Sequence, residues 1–333
     1  LSGLMIVVMS VSFAAMIFSG ALAPFLGVGV QLACTAAIVA GLVMALLGRC
    51  QPSITMADED TAPVVALMAA YVVASLPAGS NPEVLLTGAV GAIILTTLVT
   101  GLGLALLGLL RVGAFIQFLP HSVLGGYLAA VGWLLVAGGL SVSAPTGDFS
   151  INGLTDLEPG TVLRLLPALV IALWLVLMQP RLNKRWLLPL TIVATLLFWY
   201  AGMAVLDMEI DELVAANYLV GPVQAGGVGG WQPFAGVDLA EVQWGAILDN
   251  AGSIATVFLI AVFSLMLTIN GLAHLQHIEA DMNRELVVAG FANMAGGAGG
   301  GMLGLPSISL SALAAGSGAS GNRYAGLVAV LVC

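Results

Sequence analysis

PSITMADEDTAPVVALMAA, residues 52–70, sets three consecutive carboxylates, Asp58, Glu59 and Asp60, directly before an apolar run from Ala62 to Leu76. The rest of the chain is nearly free of charge. Only 8% of its 333 residues are Asp, Glu, Lys or Arg, and 60% are hydrophobic. Soluble domains hold roughly 45–50% apolar residues, whereas mean hydropathy here is +1.10. A run of about 18 or more apolar residues is long enough to cross a bilayer as a helix. The pattern predicts such runs at 3–20, 26–48, 62–78, 84–110, 120–142, 161–179, 186–206 and 247–272. Shorter, glycine-interrupted segments follow at 286–298, 307–316 and 322–333. The chain reads as an all-α polytopic membrane protein, with the three acids at the mouth of one of its helices.

Leu1 at the start and Cys333 inside an apolar run predict a piece of a longer protein. The first segment lacks a basic n-region and a cleavage site, so 1–20 is read as a retained span. Cys34, Cys50 and Cys333 show no metal spacing and read as small buried apolar residues. A net charge of −9 argues against nucleic acid as a partner, because phosphate binding needs clustered Lys and Arg.

The eight basic residues define a topology. Arg49, Arg111 and the group Arg181, Lys184 and Arg185 fall in alternate connections, which the positive-inside rule makes cytoplasmic. The intervening connections are acidic: 143–160 carries Asp148, Asp156 and Glu158, and 207–246 carries six acids between Asp207 and Glu241. Arg164 alone runs against this trend. The N-terminus is expected inside and the 207–246 loop outside. Trp186, Trp199, Trp231 and Trp244, near segment ends, read as interfacial anchors.

Two segments do not read as continuous helices. One is the opening stretch, with Pro52 and the acids ahead of a short helix. The other is GGAGGGMLGLPSISLSALAAGSGASGN, residues 296–322. Its glycines are too dense for a stable helix, and Pro306 lacks the N–H that a helix interior needs. Non-helical backbone at membrane depth survives where it is buried in protein or lines a wet cavity. Paired interruptions in two halves of a chain point to a transporter's central site, with helix N-termini aimed at the substrate. A cytoplasmic turn whose acids cap a helix is the plainer alternative. GGAGGG lacks the Lys-Ser/Thr ending of a nucleotide-binding loop.

RVGAFIQFLPHSVLGGYLAAVGWLL, residues 111–135, resembles the RLG-x-x-x-FLP-x-x-V-x-GGF-x-AG-x-G signature of the SulP anion transporters, the sulfate-permease, pendrin and prestin group. NRELVVAGFANMAGGAGGGMLGLPSISLS, residues 283–311, is similar to that family's Asn-x-Glu-Leu, Gly-x-x-Asn and Gly-x-Pro elements, in order. SFAAMIFSGALAPFLGVGV, residues 12–30, resembles the first span of a bacterial branch. The resemblance implies fourteen segments in two inverted repeats of seven. A core domain would move against a gate domain, with substrate between broken third and tenth segments. In this numbering 62–78 is the third and about 310–317 the tenth. Residues 1–206 would form the first repeat, 207–246 an extracytoplasmic loop and 247–333 an incomplete second repeat. The last segments, and the cytosolic STAS domain common in the family, would lie outside this chain. The family also implies a homodimer when intact, in a bacterial inner membrane.

The carry-over of site residues is partial. The tenth-segment positions after Gly-x-Pro match Ser309, Leu310 and Ser311. Many members carry an acid in the eighth segment, with a Thr four residues on, for cation coupling. Here Ser264 takes the acid's place and Thr268 is kept, one helical turn away on the same face. The larger departure lies in the opening stretch. A Gly-Pro-Thr-like sequence is usual before the third helix, and here Ala57, Asp58, Glu59 and Asp60, then Thr61, stand there.

Near the midplane, an ionised Asp costs roughly 2.5–3.5 kcal/mol on insertion scales. Three would cost about 8–10 kcal/mol, and a helix N-terminus returns only about 0.3–1 kcal/mol to each. At least one acid must be protonated, face water or pair with a cation. No Lys or Arg stands nearby in sequence. Three readings stay open. A carboxyl of Asp58 or Glu59 exchanges a proton as an anion binds; the site is negative and the substrate is a cation, such as a basic amino acid or polyamine; or the acids cap the helix from a watery vestibule.

The expected function is secondary transport of a small anion of the inorganic oxyanion, bicarbonate or dicarboxylate class. Elevator-type alternating access is the implied mechanism. A channel of related fold and a non-transporting membrane sensor or assembly module are the rivals. No catalytic constellation is found, and no cofactor or metal is expected. His274, His277 and Glu279 share helical spacing but lack the further ligand that a metal site needs.

Overall fold

The computed structural model describes residues 2–77, 79–113, 121–143, 159–178, 181, 184–206, 242–319 and 323–332. The predicted loop 207–246 lies, over 207–241, outside the described residues, as do Asp148, Asp156, Glu158 and Trp231.

Helix α1 spans Ser2–Ile17, a single 3₁₀ stretch covers Gly20–Phe25, and α2 spans Leu26–Leu47. The last carbonyls of α2 have no partner within the helix, so side chains supply them. Gln51 Nε2 donates to Met44 O, Ala45 O and Gly48 O at 3.0, 3.3 and 3.1 Å. Arg284 Nη2 reaches Leu47 O at 3.1 Å and Arg323 Nη1 reaches Leu46 O at 3.4 Å. Cations at this end also oppose the negative pole of the helix.

Strand β1, Thr55–Ala57, leads into α3, Ala62–Ser75. The helix is shorter than the predicted 62–78 because Pro77 disfavours helical backbone at the residue before it. Helices α4, Pro82–Leu109, α5, His121–Ser143, α6, Pro159–Met178, and α7, Lys184–Leu206, follow. Next come a short α8, Trp244–Asp249, and the long α9, Ala251–Gln276. The predicted 247–272 span is thus divided at Asn250, whose Nδ2 donates back to Ala246 O at 2.9 Å. Helix α10, Met282–Ala298, strand β2, Gly304–Pro306, and α11, Ile308–Ala314, complete the second region of interest. A π-type turn over Ala315–Ala319 and α12, Tyr324–Val332, end the chain.

Among the described residues, three helical stretches are long and apolar enough to cross a membrane: Gly20–Leu47, Pro82–Leu109 and Ala251–Gln276. The buried core is built from α1 to α4, α9 and α10. By contrast, α6 and α7 expose Leu169, Leu173, Val176, Leu197 and Phe198, as side chains facing lipid would be.

Helices α4 and α10 meet backbone to backbone. A Cβ on Gly290 would lie 2.6 Å from Gly101 O and only 2.7 Å from Ala105 Cβ. One on Gly101 would lie 2.8 Å from Met294 N. Small residues at helix contacts permit this approach in a membrane, where packing replaces hydrophobic driving force.

Candidate functional site

Strands β1 and β2 pair antiparallel, with Thr55 opposite Pro306, Met56 opposite Leu305 and Ala57 opposite Gly304. The pairing satisfies backbone groups that two interrupted segments would otherwise leave bare inside the protein. It continues beyond the strands: Asp58 N donates to Leu303 O at 3.0 Å and Ser307 N to Ile54 O at 2.8 Å. Ser311 Oγ accepts from Ile54 N at 2.9 Å, tying α11 to the entry of β1. The fully buried Asn293 of α10 closes the outer edge of the ribbon. Its Oδ1 accepts from Gly304 N at 2.8 Å, and its Nδ2 donates to Gly304 O at 2.9 Å. One carboxamide thus does for Gly304 what a third strand would.

This ribbon holds the starts of α3 and α11 side by side, and the three acids stand at the first of them. Each acid meets a different environment. Asp58 is buried, at 5% exposure. Its Oδ2 accepts from Thr61 N at 2.9 Å, while its main-chain oxygen accepts from Ala62 N at 3.1 Å. That geometry makes Asp58 the cap of the turn 59–61 that leads into α3. Its other oxygen, Oδ1, accepts from Ser264 Oγ of α9 at 2.9 Å. Asp60 is half-buried, and its Oδ2 accepts from Tyr127 Oη of α5 at 2.8 Å. Glu59, also half-buried, lies between them, and its carboxylate makes no hydrogen bond among the described residues.

The remaining predicted positions are spread around this centre. Thr61 is buried, with its hydroxyl 3.5 Å from Asp58 O. Thr268 is buried one turn beyond Ser264. Leu310 and Ser311 are buried on α11, the Ser311 hydroxyl being occupied by Ile54, whereas Ser309 is exposed. Residues not singled out from the sequence also belong here. Ser307, at the start of α11, is buried with its hydroxyl unpartnered. Tyr127 rests its ring on Phe263, with centroids 5.6 Å apart. A signal for Tyr127 was on view: the signature quoted above reads GGF, and this chain has Gly125, Gly126, Tyr127. The extra hydroxyl is the atom that meets Asp60.

The two histidines lie elsewhere. His277 closes α9 in left-handed backbone, φ 54°, with Ile278 N returning to Ala273 O at 3.1 Å. A cavity of about 460 Å³ opens there, lined by Asn270, His274, His277 and Glu279 among others. His274 is ten positions along α9 from Ser264, about 15 Å at 1.5 Å per residue. Among the described residues, no three His, Cys, Asp or Glu side chains gather as a metal site.

Comparison with known proteins follows the same lines as the geometry. The family model described as the sulfate permease family matches residues 2–333. The vacuolar basic amino acid transporter VSB1 of Saccharomyces cerevisiae is 23% identical over 228 residues, 66% of this chain and 22% of that protein. The bicarbonate transporter BicA of Picosynechococcus sp. is 24% identical over 290 residues, 84% of this chain and 47% of that protein. The chain therefore spans less than half the length of either curated relative. Among solved structures, the transmembrane domain of a cyanobacterial bicarbonate transporter BicA superposes with a TM-score of 0.68 at 19% identity. That match covers 99% of this chain and 79% of the solved one.

Proposed function

The chain belongs to the sulfate permease family, and from that premise we propose that the intact protein is a secondary transporter of a small anion, coupled to protons through Asp58. The observation that carries this reading is the buried carboxyl of Asp58, held by Thr61 N and Ser264 Oγ at the mouth of α3. In many relatives the eighth segment supplies an acid where Ser264 stands. Here the stretch before α3 supplies an acid, Asp58, and the hydroxyl of Ser264 donates to it. A proton on Asp58 would remove one of the negative charges that oppose an anion at the N–H groups starting α3. Release of that proton would repel the anion again. Likeness to a bicarbonate transporter in both sequence and fold supports the anion class.

In this reading β1–α3 and β2–α11 are the broken third and tenth segments of a 7+7 inverted repeat. Helices α1–α4 and α8–α12 form the core, and α5–α7 belong to the gate. The core carries the site past the gate, in a homodimer seated in a bacterial inner membrane with its N-terminus in the cytoplasm.

One observation favours a second reading. Glu59 has no hydrogen-bond partner among the described residues, and a matched relative is a basic amino acid transporter. A cationic substrate would supply the missing partner.

The intact protein in liposomes on a sensor membrane separates the two. Bicarbonate, sulfate and dicarboxylates are applied first, then arginine and polyamines, each with and without a pH gradient. Anion currents that follow the gradient and lose that dependence in Asp58→Asn support the first reading. Currents with cations alone, abolished in Glu59→Gln, replace it with the second. Transport unchanged in both variants returns the acids to a capping role.

A further inference from the structure

Among the described residues, the hydrogen bond from helix α5 to the three acids comes from one side chain, Tyr127. Tyr127 donates to Asp60 Oδ2 at 2.8 Å, lies 3.5 Å from Ile260 O, and packs its ring against Phe263 at a tilt of 43°. Phe263 immediately precedes Ser264, the residue that holds Asp58. One phenol therefore joins α5 to the mouth of α3 and to the turn of α9 that grips Asp58. Both ends of the bond depart from the sequence pattern given above, Tyr for Phe in one motif and an acid in the stretch before the third helix. Two independent departures meet at hydrogen-bond distance.

We infer that Tyr127 is a positioning residue that latches α5 to Asp60, and that this latch must open whenever α5 moves against α3 and α9. The inference rests on the transport reading for its purpose, and on the observed contacts for its existence. A phenol donating to a carboxylate is a charge-assisted bond, shorter and stronger than a neutral one. Within a half-buried crevice it is protected from competition by water. The latch also sorts the acids: Asp58 is occupied by Ser264 and Thr61, Asp60 by Tyr127, and Glu59 alone keeps a free carboxylate for a ligand.

The test needs no substrate, so it stands apart from the fate of the transport reading. In the intact protein, native cysteines are replaced by alanine and Glu59→Cys is introduced as a reporter between the two anchored acids. Labelling by a small polar thiol reagent is timed in membranes. Tyr127→Phe keeps the ring on Phe263 and removes only the hydroxyl. It is expected to raise the labelling rate about tenfold, the scale of one lost hydrogen bond to a charged group. Asp60→Ala should do the same, and the double variant should add nothing further. Asp60→Asn keeps an acceptor for the phenol but loses the charge assistance, and should label at a rate between those of the parent and Asp60→Ala. A reporter at Ser53, buried under the ribbon, should stay unlabelled in every variant, which separates an opened latch from general loosening. Labelling of Tyr127→Phe within twofold of the parent, multiplying effects in the double variant, or labelling at position 53 would each overturn the inference.

Discussion

Ser264 Oγ and Asp58 Oδ1 meet at 2.9 Å across 206 positions of chain. The contact joins the middle of α9 to the turn that leads into α3, and both groups are buried. Asp58→Asn preserves shape and an acceptor, and is expected to change stability by less than about 1 kcal/mol while removing the proton-dependent part of transport. Ser264→Ala leaves the carboxyl short of a donor and should cost about 1.5–3 kcal/mol. Ser264→Asp sets two carboxyls against each other and should cost more than Ser264→Ala. The double variant Asp58→Asn/Ser264→Asp should recover most of that loss. Thermal unfolding of the detergent-solubilised protein reads the series, and recovery absent from the double variant would show that the two side chains are not coupled.

Asn293→Ala should be among the most damaging single changes. It strips both backbone groups of Gly304, in a fully buried place, of their partners. Each orphaned group costs about 1–3 kcal/mol, so a loss of roughly 2–6 kcal/mol is expected. Asn293→Asp can still accept from Gly304 N but cannot donate to Gly304 O, and should rescue only part. Yield of monodisperse protein and melting temperature measure both.

Two glycines of one helix should respond in opposite directions. Gly290→Ala forces a methyl against Gly101 O and Ala105, backbone and side chain that cannot swing away, and should destabilise by at least about 2 kcal/mol. Gly296→Ala on the same helix meets nothing within 4 Å. It should be neutral or stabilising by up to about 1 kcal/mol, the helix preference of Ala over Gly. Equal melting temperatures for the two variants would mean that α4 and α10 do not approach as closely as described.

Glu285 holds the turn after α2 by accepting from Arg49 N at 2.7 Å and Cys50 N at 3.3 Å, with its side chain buried. Glu285→Ala should therefore lose about 2–5 kcal/mol, whereas Glu285→Gln, which keeps one acceptor oxygen, should lose distinctly less. Arg284→Ala and Arg323→Ala remove exposed caps from the same helix end and should each cost under about 1 kcal/mol. Urea or thermal unfolding of the four variants ranks them.

Long apolar runs were legible in the sequence because hydrophobic length alone determines them. The expected 84–110 appears as Pro82–Leu109, and 120–142 as His121–Ser143. The interruptions at Pro52 and Pro306 were legible too, since proline and dense glycine forbid a continuous helix. Strands at 55–57 and 304–306 were not. Three residues carry no alternation to read, and each is a strand only because the other lies beside it. The pairing of Asp58 with Ser264 and of Asp60 with Tyr127 was hidden for the same reason, as contacts between distant helices leave no local pattern. Asn293 was visible within a motif, but its role as a substitute strand edge emerges only once Gly304 is placed next to it.

The ribbon also imposes an order of events on biosynthesis. Ile54 and Ser311, which it binds together, are separated by 257 positions. At 5–20 residues per second, a ribosome takes roughly 13–50 s to make the second after the first. Throughout that interval Ile54 and Asp58 have main-chain groups whose partners, Ser307, Ser311 and Leu303, are not yet synthesised. They must be sheltered by water or by the insertion machinery, because lipid offers them nothing. The first strand is thus an unpaid debt carried by the nascent chain, settled only when β2 arrives. Truncation before residue 304 should leave a polypeptide that inserts its early helices and is then cleared by quality control.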